Sequence, residues 1–260
     1  MSSFSVVPPQ EGKARLVSKE DLRSGLYSLT LELENPFLAD PGQFVLIRDQ
    51  RWRTDPLLSR PFAVAWREGK RMGILLQVKG KGTAALASLA DGVSLTIRGP
   101  QGHGFPEPEG KRLVLVAGAM GIAPLLFAWE RYSRRCSVKL YLGVSCSLWS
   151  GLVDWLLARG VNCHVACDDG TIGEKGTVVD LIRRELEVDD EVWTCGPSRM
   201  MAAIAALRRE RCFVSLEARM ACGYGGCLGC VVPTRSGRLR ACVDGPVFKG
   251  EEVLWNDGLP

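Results

Sequence analysis

Four cysteines, Cys222, Cys227, Cys230 and Cys242, stand in the run ARMACGYGGCLGCVVPTRSGRLRACVDGP at the spacing C-x4-C-x2-C-x11-C. Thiolates are soft ligands, suited to zinc or to iron–sulfur clusters. A zinc ribbon usually sets C-x2-C knuckles on either side of a longer gap. A gap of four followed by a gap of two instead opens the loop of a plant-type [2Fe–2S] cluster, although the last gap is shorter here than in plant ferredoxins. Gly223, Gly225, Gly226 and Gly229 let the backbone fold tightly and bring N–H groups to the sulfurs. Such donors stabilise a cluster that carries negative charge. The spacing favours [2Fe–2S] over a zinc site or an unligated structural cluster of thiols.

Four further stretches carry nucleotide chemistry. In RPFAV (60–64), Arg60 can place a guanidinium on a phosphate and Phe62 a ring against a flavin; the plainer alternative is an exposed Arg and a core Phe. KGKGTAAL (79–86) sets two glycines and Thr83 at the opening of a helix, a source of N–H groups for an anion, or simply a loop with Thr83 as the helix cap. LVAGAMGIAP (115–124) reads strand, glycine turn, helix, with Gly118 and Gly121 in the turn and Pro124 suited to the first helical turn. VWTCGPSRMM (192–201) puts Cys195, Gly196 and Pro197 at a second strand end, where open α/β sheets bind ligands. Histidine is scarce, only His103 and His164, which argues against Ser/His, Cys/His and histidine-rich metal mechanisms.

These stretches need elements to position them. Residues 14–105 read as β, with the runs 26–33, 42–48, 62–66, 73–80 and 93–99 separated by turn residues, and one helical interruption at 83–90. That rhythm predicts an antiparallel β-barrel. After GPQGHGFPEPEG the rhythm becomes strand–helix: strands at 112–119, 137–145, 162–169 and 191–196 alternate with helices at 123–135, 150–160, 176–186 and 197–209. This predicts a parallel-sheet α/β nucleotide-binding domain, with 213–218 a candidate closing strand. The expected division is a flavin-binding barrel over 1–106, a nucleotide-binding α/β domain over 107–212 and a small C-terminal iron–sulfur module over 213–260.

Composition narrows the classes. The 260 residues carry 33 basic and 29 acidic side chains, net +4, too mild and dispersed for nucleic acid. No apolar run is long enough to span a membrane, and MSSFSVVPPQEGKARLV has no signal-peptide layout. Ten cysteines in a chain with no expected secretion signal suggest metal ligands and buried thiols rather than disulfides; Cys136, Cys146, Cys163, Cys167, Cys195 and Cys212 lie scattered in apolar segments.

With RPFA, GKGT, GPQGHGF, GIAP, DDGTIGEKG, TCGP, VSLEARMACGYGGCLGC and CVDGPVF in this order over nearly the full length, the chain resembles the electron-transfer subunit of class 1B, NAD-linked dihydroorotate dehydrogenase, in the ferredoxin-reductase superfamily. The resemblance implies FAD, a [2Fe–2S] cluster and NAD(H) as co-substrate. It also implies a cytoplasmic partner, the FMN-containing catalytic subunit, in a heterotetramer of two of each. A related FAD/[2Fe–2S] reductase subunit serving another partner, ferredoxin:NADP or sulfur metabolism, carries the same three modules. On the resemblance, Arg60, Pro61, Phe62, Ala63, Leu75, Leu76 and Gln77 meet FAD. Gly82 and Thr83 hold its pyrophosphate, and Gly118, Gly121, Gly196 and Pro197 belong to the nicotinamide-nucleotide turns. Cys195 lies near the nicotinamide, and Cys222, Cys227, Cys230 and Cys242 hold the cluster. Three positions depart from the family pattern: Ala63 where Ser or Thr is usual, Gln77 where a basic residue is common, and Ala119 where the turn usually has glycine.

Overall fold

The computed structural model describes residues 10–255 apart from Phe37 and Lys111; most of the segment inspected for a leader, residues 1–9, lies outside them. The first unit is an antiparallel sheet built from β1 (Gln10–Asp21), β2 (Leu26–Leu33), β3 (Phe44–Asp49), β4 (Arg60–Ala63), β5 (Trp66–Glu68), β6 (Arg71–Gln77) and β7 (Ser94–Gln101), with the short helix α1 (Lys81–Ala87) before β7. Alternate residues fill its interior, among them Leu16, Leu29, Leu31, Val45, Ile74 and Leu95, the period-2 pattern of a sheet with one buried face.

The strand order is β4-β3-β7-β1-β2-β6-β5. Its two ends, β4 and β5, are separated in the chain only by Val64 and Ala65. Val64 N–H donates to the Gln43 carbonyl at 3.1 Å and Ala65 N–H to the Gly73 carbonyl at 2.9 Å. Adjacent residues therefore bond to opposite ends of the sheet, and the barrel closes there. This corrects the single strand expected over 62–66: the segment pairs with β3 as far as Ala63 and with β6 from Trp66, and the ladder breaks between them at Val64 and Ala65. β1 has no counterpart among the expected runs. The helix expected at 83–90 lies at 81–87, with Thr83 inside its first turn rather than at its cap.

The second unit alternates β8 (Arg112–Gly118), α2 (Ile122–Tyr132), β9 (Ser137–Val144), α3 (Ser150–Ala158), β10 (His164–Cys167), β11 (Glu174–Lys175), α4 (Val178–Glu185), β12 (Glu191–Cys195), α5 (Ser198–Leu207) and β13 (Cys212–Ser215). The sheet order is β11-β10-β9-β8-β12-β13-β16, where β16 is Val247–Lys249. Every pair is parallel except β13 with β16. The sheet is therefore closed by an antiparallel strand from the C-terminal region, not by 213–218, and the boundary drawn at 212/213 falls inside β13. Leu125, Leu126, Trp155 and Leu156 of α2 and α3 pack on one face; Leu181, Ile182, Met201 and Ile204 of α4 and α5 pack on the other.

The two units share a core. Leu22, Leu26, Ala65, Leu75 and Phe105 from the barrel side pack in one cluster with Leu113, Leu115, Ile122, Leu152 and Trp193. At its edge Trp155 Nε1 donates to Glu20 Oε2 at 3.2 Å, Arg159 donates to Glu20 Oε1 at 2.8 Å, and Arg23 pairs with Asp154. Gly151 approaches the Leu22 carbonyl so closely that an added Cβ would stand 1.7 Å from that oxygen. The third part is the cysteine loop, followed by the hairpin β14 (Val231–Thr234) and β15 (Gly237–Arg240). Among the described residues no helix is long and apolar enough to cross a membrane.

Candidate redox-cofactor site

The carboxyl ends of β8 and β12 meet. An added Cβ on Gly121 would lie 2.1 Å from the Cys195 carbonyl oxygen, one on Gly118 2.4 Å from Pro197 Cδ, and one on Gly196 2.8 Å from Gly118 Cα. Only glycine lets these two turns touch, and Gly196 also sits at φ +150°. Ala119 takes φ +50°, the left-handed region that favours glycine. The turn thus keeps the glycine conformation although its residue carries a methyl.

In front of these turns lies a cavity of about 250 Å³. Pro61, Phe62 and Ala63 of β4 and Leu75 and Gln77 of β6 form its barrel wall; Cys195 stands on the opposite side. Leu76 does not belong to that wall. It is fully buried in the barrel interior, because neighbouring strand residues point to opposite faces. Only its backbone is available to a ligand. The sequence reading missed Lys79, Met120, Ser215, Glu217 and Met220, which also line the cavity. Most lie in or beside stretches already singled out, 79–86, 115–124 and VSLEARMACG, but which of their side chains turn inward depends on packing.

Burial pushes the Cys195 thiol well above its ordinary value, with Glu217 adding and a hydrogen bond from Ser215 opposing. Cys195 is therefore a neutral thiol against the cavity and not a nucleophile. Burial also raises the Glu217 carboxyl, opposed by Lys79.

Arg60 lies at the edge of the same wall. Its Nη1 donates to the Leu58 carbonyl at 2.7 Å, and its guanidinium lies 5.7 Å from the Trp52 ring centre. It also covers Gly82, where an added Cβ would come within 2.2 Å of Arg60 Nε. The Thr83 hydroxyl accepts from Lys79 N–H at 2.9 Å and Gly80 N–H at 3.1 Å, and so fixes the turn. A guanidinium held over a glycine turn suits a pyrophosphate, and the mixed apolar and polar cavity beside it suits a flat ring. The residues present fit FAD.

The cysteine loop folds over β3. Gly223 (φ +74°) faces Leu46, where an added Cβ would stand 2.3 Å from Cδ1. The hairpin brings the distant fourth cysteine back: Ala241 N–H donates to the Cys230 carbonyl at 2.9 Å. Arg240 binds Asp244 through Nε at 2.9 Å and closes the following turn. Among the described residues no group of three or more His, Cys, Asp or Glu side chains is placed to hold a single metal ion. The thiols stand as neighbouring pairs, Cys222 beside Cys227 and Cys230 beside Cys242. Two pairs suit two irons.

Burial raises the Cys222 thiol, but N–H groups of Tyr224, Cys227 and Gly226 and the Cys227 thiol outweigh it and bring it to about 6. Cys242 is pushed up to about 12 by burial and by neighbouring Cys230. Gly229 N–H also points at Cys227 Sγ, at 3.5 Å. N–H groups converging on sulfur are the surroundings an anionic cluster needs. The donor set fits [2Fe–2S].

Comparisons with known proteins agree with this geometry. The family described as the iron–sulfur cluster binding domain of dihydroorotate dehydrogenase B matches residues 217–254. The dihydroorotate dehydrogenase B (NAD(+)) electron transfer subunit of Caldanaerobacter subterraneus subsp. tengcongensis is 38% identical over 250 residues, covering 94% of this chain and 98% of its own. That of Clostridium acetobutylicum is 35% identical, covering 91% and 94%. Among solved structures, one described as the NADH-dependent reduced ferredoxin-NADP oxidoreductase superposes with a TM-score of 0.80 at 29% identity, over 94% of this chain and 90% of that one. A ferredoxin reductase of carbazole 1,9a-dioxygenase, at 19% identity and a TM-score of 0.68, shares the fold. Identity of this extent, on the same order of barrel, nucleotide unit and cysteine module, places the chain in the family of dihydroorotate dehydrogenase B (NAD(+)) electron transfer subunits.

Proposed function

We propose that this chain is the subunit of an NAD-linked dihydroorotate dehydrogenase that receives electrons from an FMN-containing catalytic subunit and delivers them to NAD+. The net reaction is dihydroorotate and NAD+ to orotate, NADH and a proton. A cluster carries electrons singly, and a flavin converts pairs of single electrons into hydride; that is the chemistry FAD and [2Fe–2S] supply when bound. Cys222, Cys227, Cys230 and Cys242 hold the cluster. Pro61, Phe62, Ala63, Leu75 and Gln77 side chains, with the Leu76 backbone, hold the flavin ring, and Arg60, Gly82 and Thr83 its pyrophosphate. Gly118, Gly121, Gly196 and Pro197 receive the dinucleotide. Cys195, as a neutral thiol, presses on the ring-sized cavity and keeps water from the transferred hydride. The division into residues 1–106, 107–212 and 213–260 is the working assignment of these roles, with β13 structurally part of the second.

The observation that carries the reading is the joining of the two cofactor sites: Ala218, Met220 and Pro246, from the cysteine module, wall the cavity that Cys195 and β4 line. All ten cysteines are free, which supports a reducing compartment and hence the cytoplasm. A heterotetramer, two of each subunit, is the proposed assembly.

An anaerobic visible and EPR spectrum of the purified chain, before and after NADH, tests the reading. NADH should bleach the flavin and produce the signal of a reduced [2Fe–2S] cluster. The Cys→Ser variants at 222, 227, 230 and 242 should each lose the cluster spectrum. Orotate should form only when the catalytic subunit is added. A chain that binds one zinc and no iron, or no flavin, contradicts the proposal.

A further inference from the structure

Arg240 is the last residue of β15 and faces Val231 across the hairpin, next to Cys230. Its carbonyl accepts from Val243 N–H at 3.1 Å, Asp244 N–H at 2.8 Å and Gly245 N–H at 3.2 Å, so the backbone turns back on itself just past Cys242. The same turn clasps the side chain. Nε donates to Asp244 Oδ2 at 2.9 Å and Nη2 to Oδ1 at 3.1 Å, while the Arg240 backbone N–H donates to Oδ2 at 2.8 Å. A guanidinium held at two points on one carboxylate is fixed in direction as well as in distance.

The third nitrogen, Nη1, takes no part in that pair. In a planar guanidinium it points away from the edge that Nε and Nη2 form. It lies over Gly225, where an added Cβ would stand 2.9 Å from it. Gly225 sits between Cys222 and Cys227 at φ +86°, and its N–H donates to the Cys242 sulfur. The contacts therefore run in the order carboxylate, guanidinium, Gly225, Cys242. The cysteine loop meets the positive end of the ion pair, with the carboxylate behind it.

We propose that Arg240 sets the reduction potential of the cluster: it holds a fixed positive charge on the Gly225 side of the four sulfurs and favours the reduced form, with Asp244 as its tether and partial counterweight. The inference rests on the cluster assigned above and adds the residue that tunes it. The step affected is the uptake of one electron, from the catalytic subunit's flavin or from this chain's FAD. That step adds one negative charge to the group the thiolates hold and requires no change of bonds or protons. A nearby cation lowers the energy of the more negative form, and net charge around a cluster is among the quantities that set its potential. The Arg240 and Asp244 side chains are 36% and 27% exposed, so water attenuates the effect without abolishing it.

The test is an EPR-monitored redox titration of the holo chain, with dithionite as reductant and dye mediators, iron and flavin content confirming that each variant is loaded. Arg240→Gln should lower the cluster potential, shifting the reduced-to-oxidised ratio at a fixed poise by about threefold to tenfold, or roughly 28–59 mV for one electron. Asp244→Asn, which can still accept from Nε but carries no charge, should shift it the opposite way. Arg240→Lys keeps the charge and should stay closer to the native potential than Arg240→Gln. Arg183→Gln, on the remote helix α4, should leave the potential unchanged. A purely structural clasp would make Arg240→Gln and Asp244→Asn move the potential in the same direction, since each damages the pair. That result, or an unchanged potential in both, overturns the inference alone. If Arg240→Gln holds no cluster, Asp244→Asn decides: a potential at or below the native value overturns the inference. A native chain that binds no [2Fe–2S] cluster overturns the proposed function itself.

Discussion

Asp49 shows how one side chain fixes the turn that follows β3. Its carboxylate is buried at the end of β3 and accepts from Arg51 N–H at 2.9 Å, Nε at 3.0 Å and Nη2 at 2.7 Å. The Arg51 side chain, outweighing burial, holds the carboxyl below its ordinary value. A carboxyl whose folded pKa is lowered binds fewer protons folded than unfolded. Its stabilisation is present above the ordinary carboxylate range and is lost as pH falls through the folded pKa. Asp49→Asn should therefore cost about 1–2 kcal/mol at neutral pH in urea unfolding, less in acid, and flatten the acid limb of the stability profile. Ala119 argues the other way. Its left-handed backbone carries strain that glycine would remove, while glycine costs more chain entropy on folding. Ala119→Gly should give a net gain of about 0.5 kcal/mol, read as a small rise in Tm, and tighter NAD+ binding if the methyl crowds the dinucleotide.

At the scale of elements, the dinucleotide turn depends on β8 and β12 approaching without side chains between them. Gly121→Val would drive a branched side chain into the Cys195 carbonyl and must separate the two strand ends. A cost of about 3 kcal/mol or more is expected, together with loss of NADH-driven flavin bleaching but retention of the cluster spectrum. Retained bleaching would show that the turn does not serve the nicotinamide. The four cysteines stand on their own loop and hairpin rather than on the two turns, although Cys230, Val232 and Cys242 share a core with Val116 and Val192, and so the two properties should part.

For the whole molecule, the shared core decides how it unfolds. Each unit has an interior of its own, but the barrel and the α/β unit also bury Leu22, Leu26, Leu75, Leu115 and Leu152 in one shared cluster, so opening either exposes apolar surface of the other. Calorimetry on the native chain should show one cooperative transition for both units. Gly151→Ala, which forces α3 away from the Leu22 carbonyl, should lower Tm or split that transition; an unchanged Tm would mean the contact is dispensable.

Cysteine spacing was legible in the sequence because a cluster loop is local: Cys222, Cys227 and Cys230 lie within nine residues, and their glycines are dictated by the same short turn. Strand and helix runs were legible wherever the period was clean, as in β2, β9 and α4. Where chain and pairing conflict, at Val64 and Ala65, period alone merged two strands into one, since closure depends on Gln43 and Gly73, distant in sequence. The sequence by itself determined the order of units, the spacing of the four cysteines and the glycine turns. Only the tertiary structure decided that Arg60 covers Gly82, that Leu76 turns inward, that Ser215 and Glu217 face Cys195, and that the cysteine module walls the flavin cavity. Each of these depends on strand register and on packing between segments far apart in the chain, which no local pattern encodes.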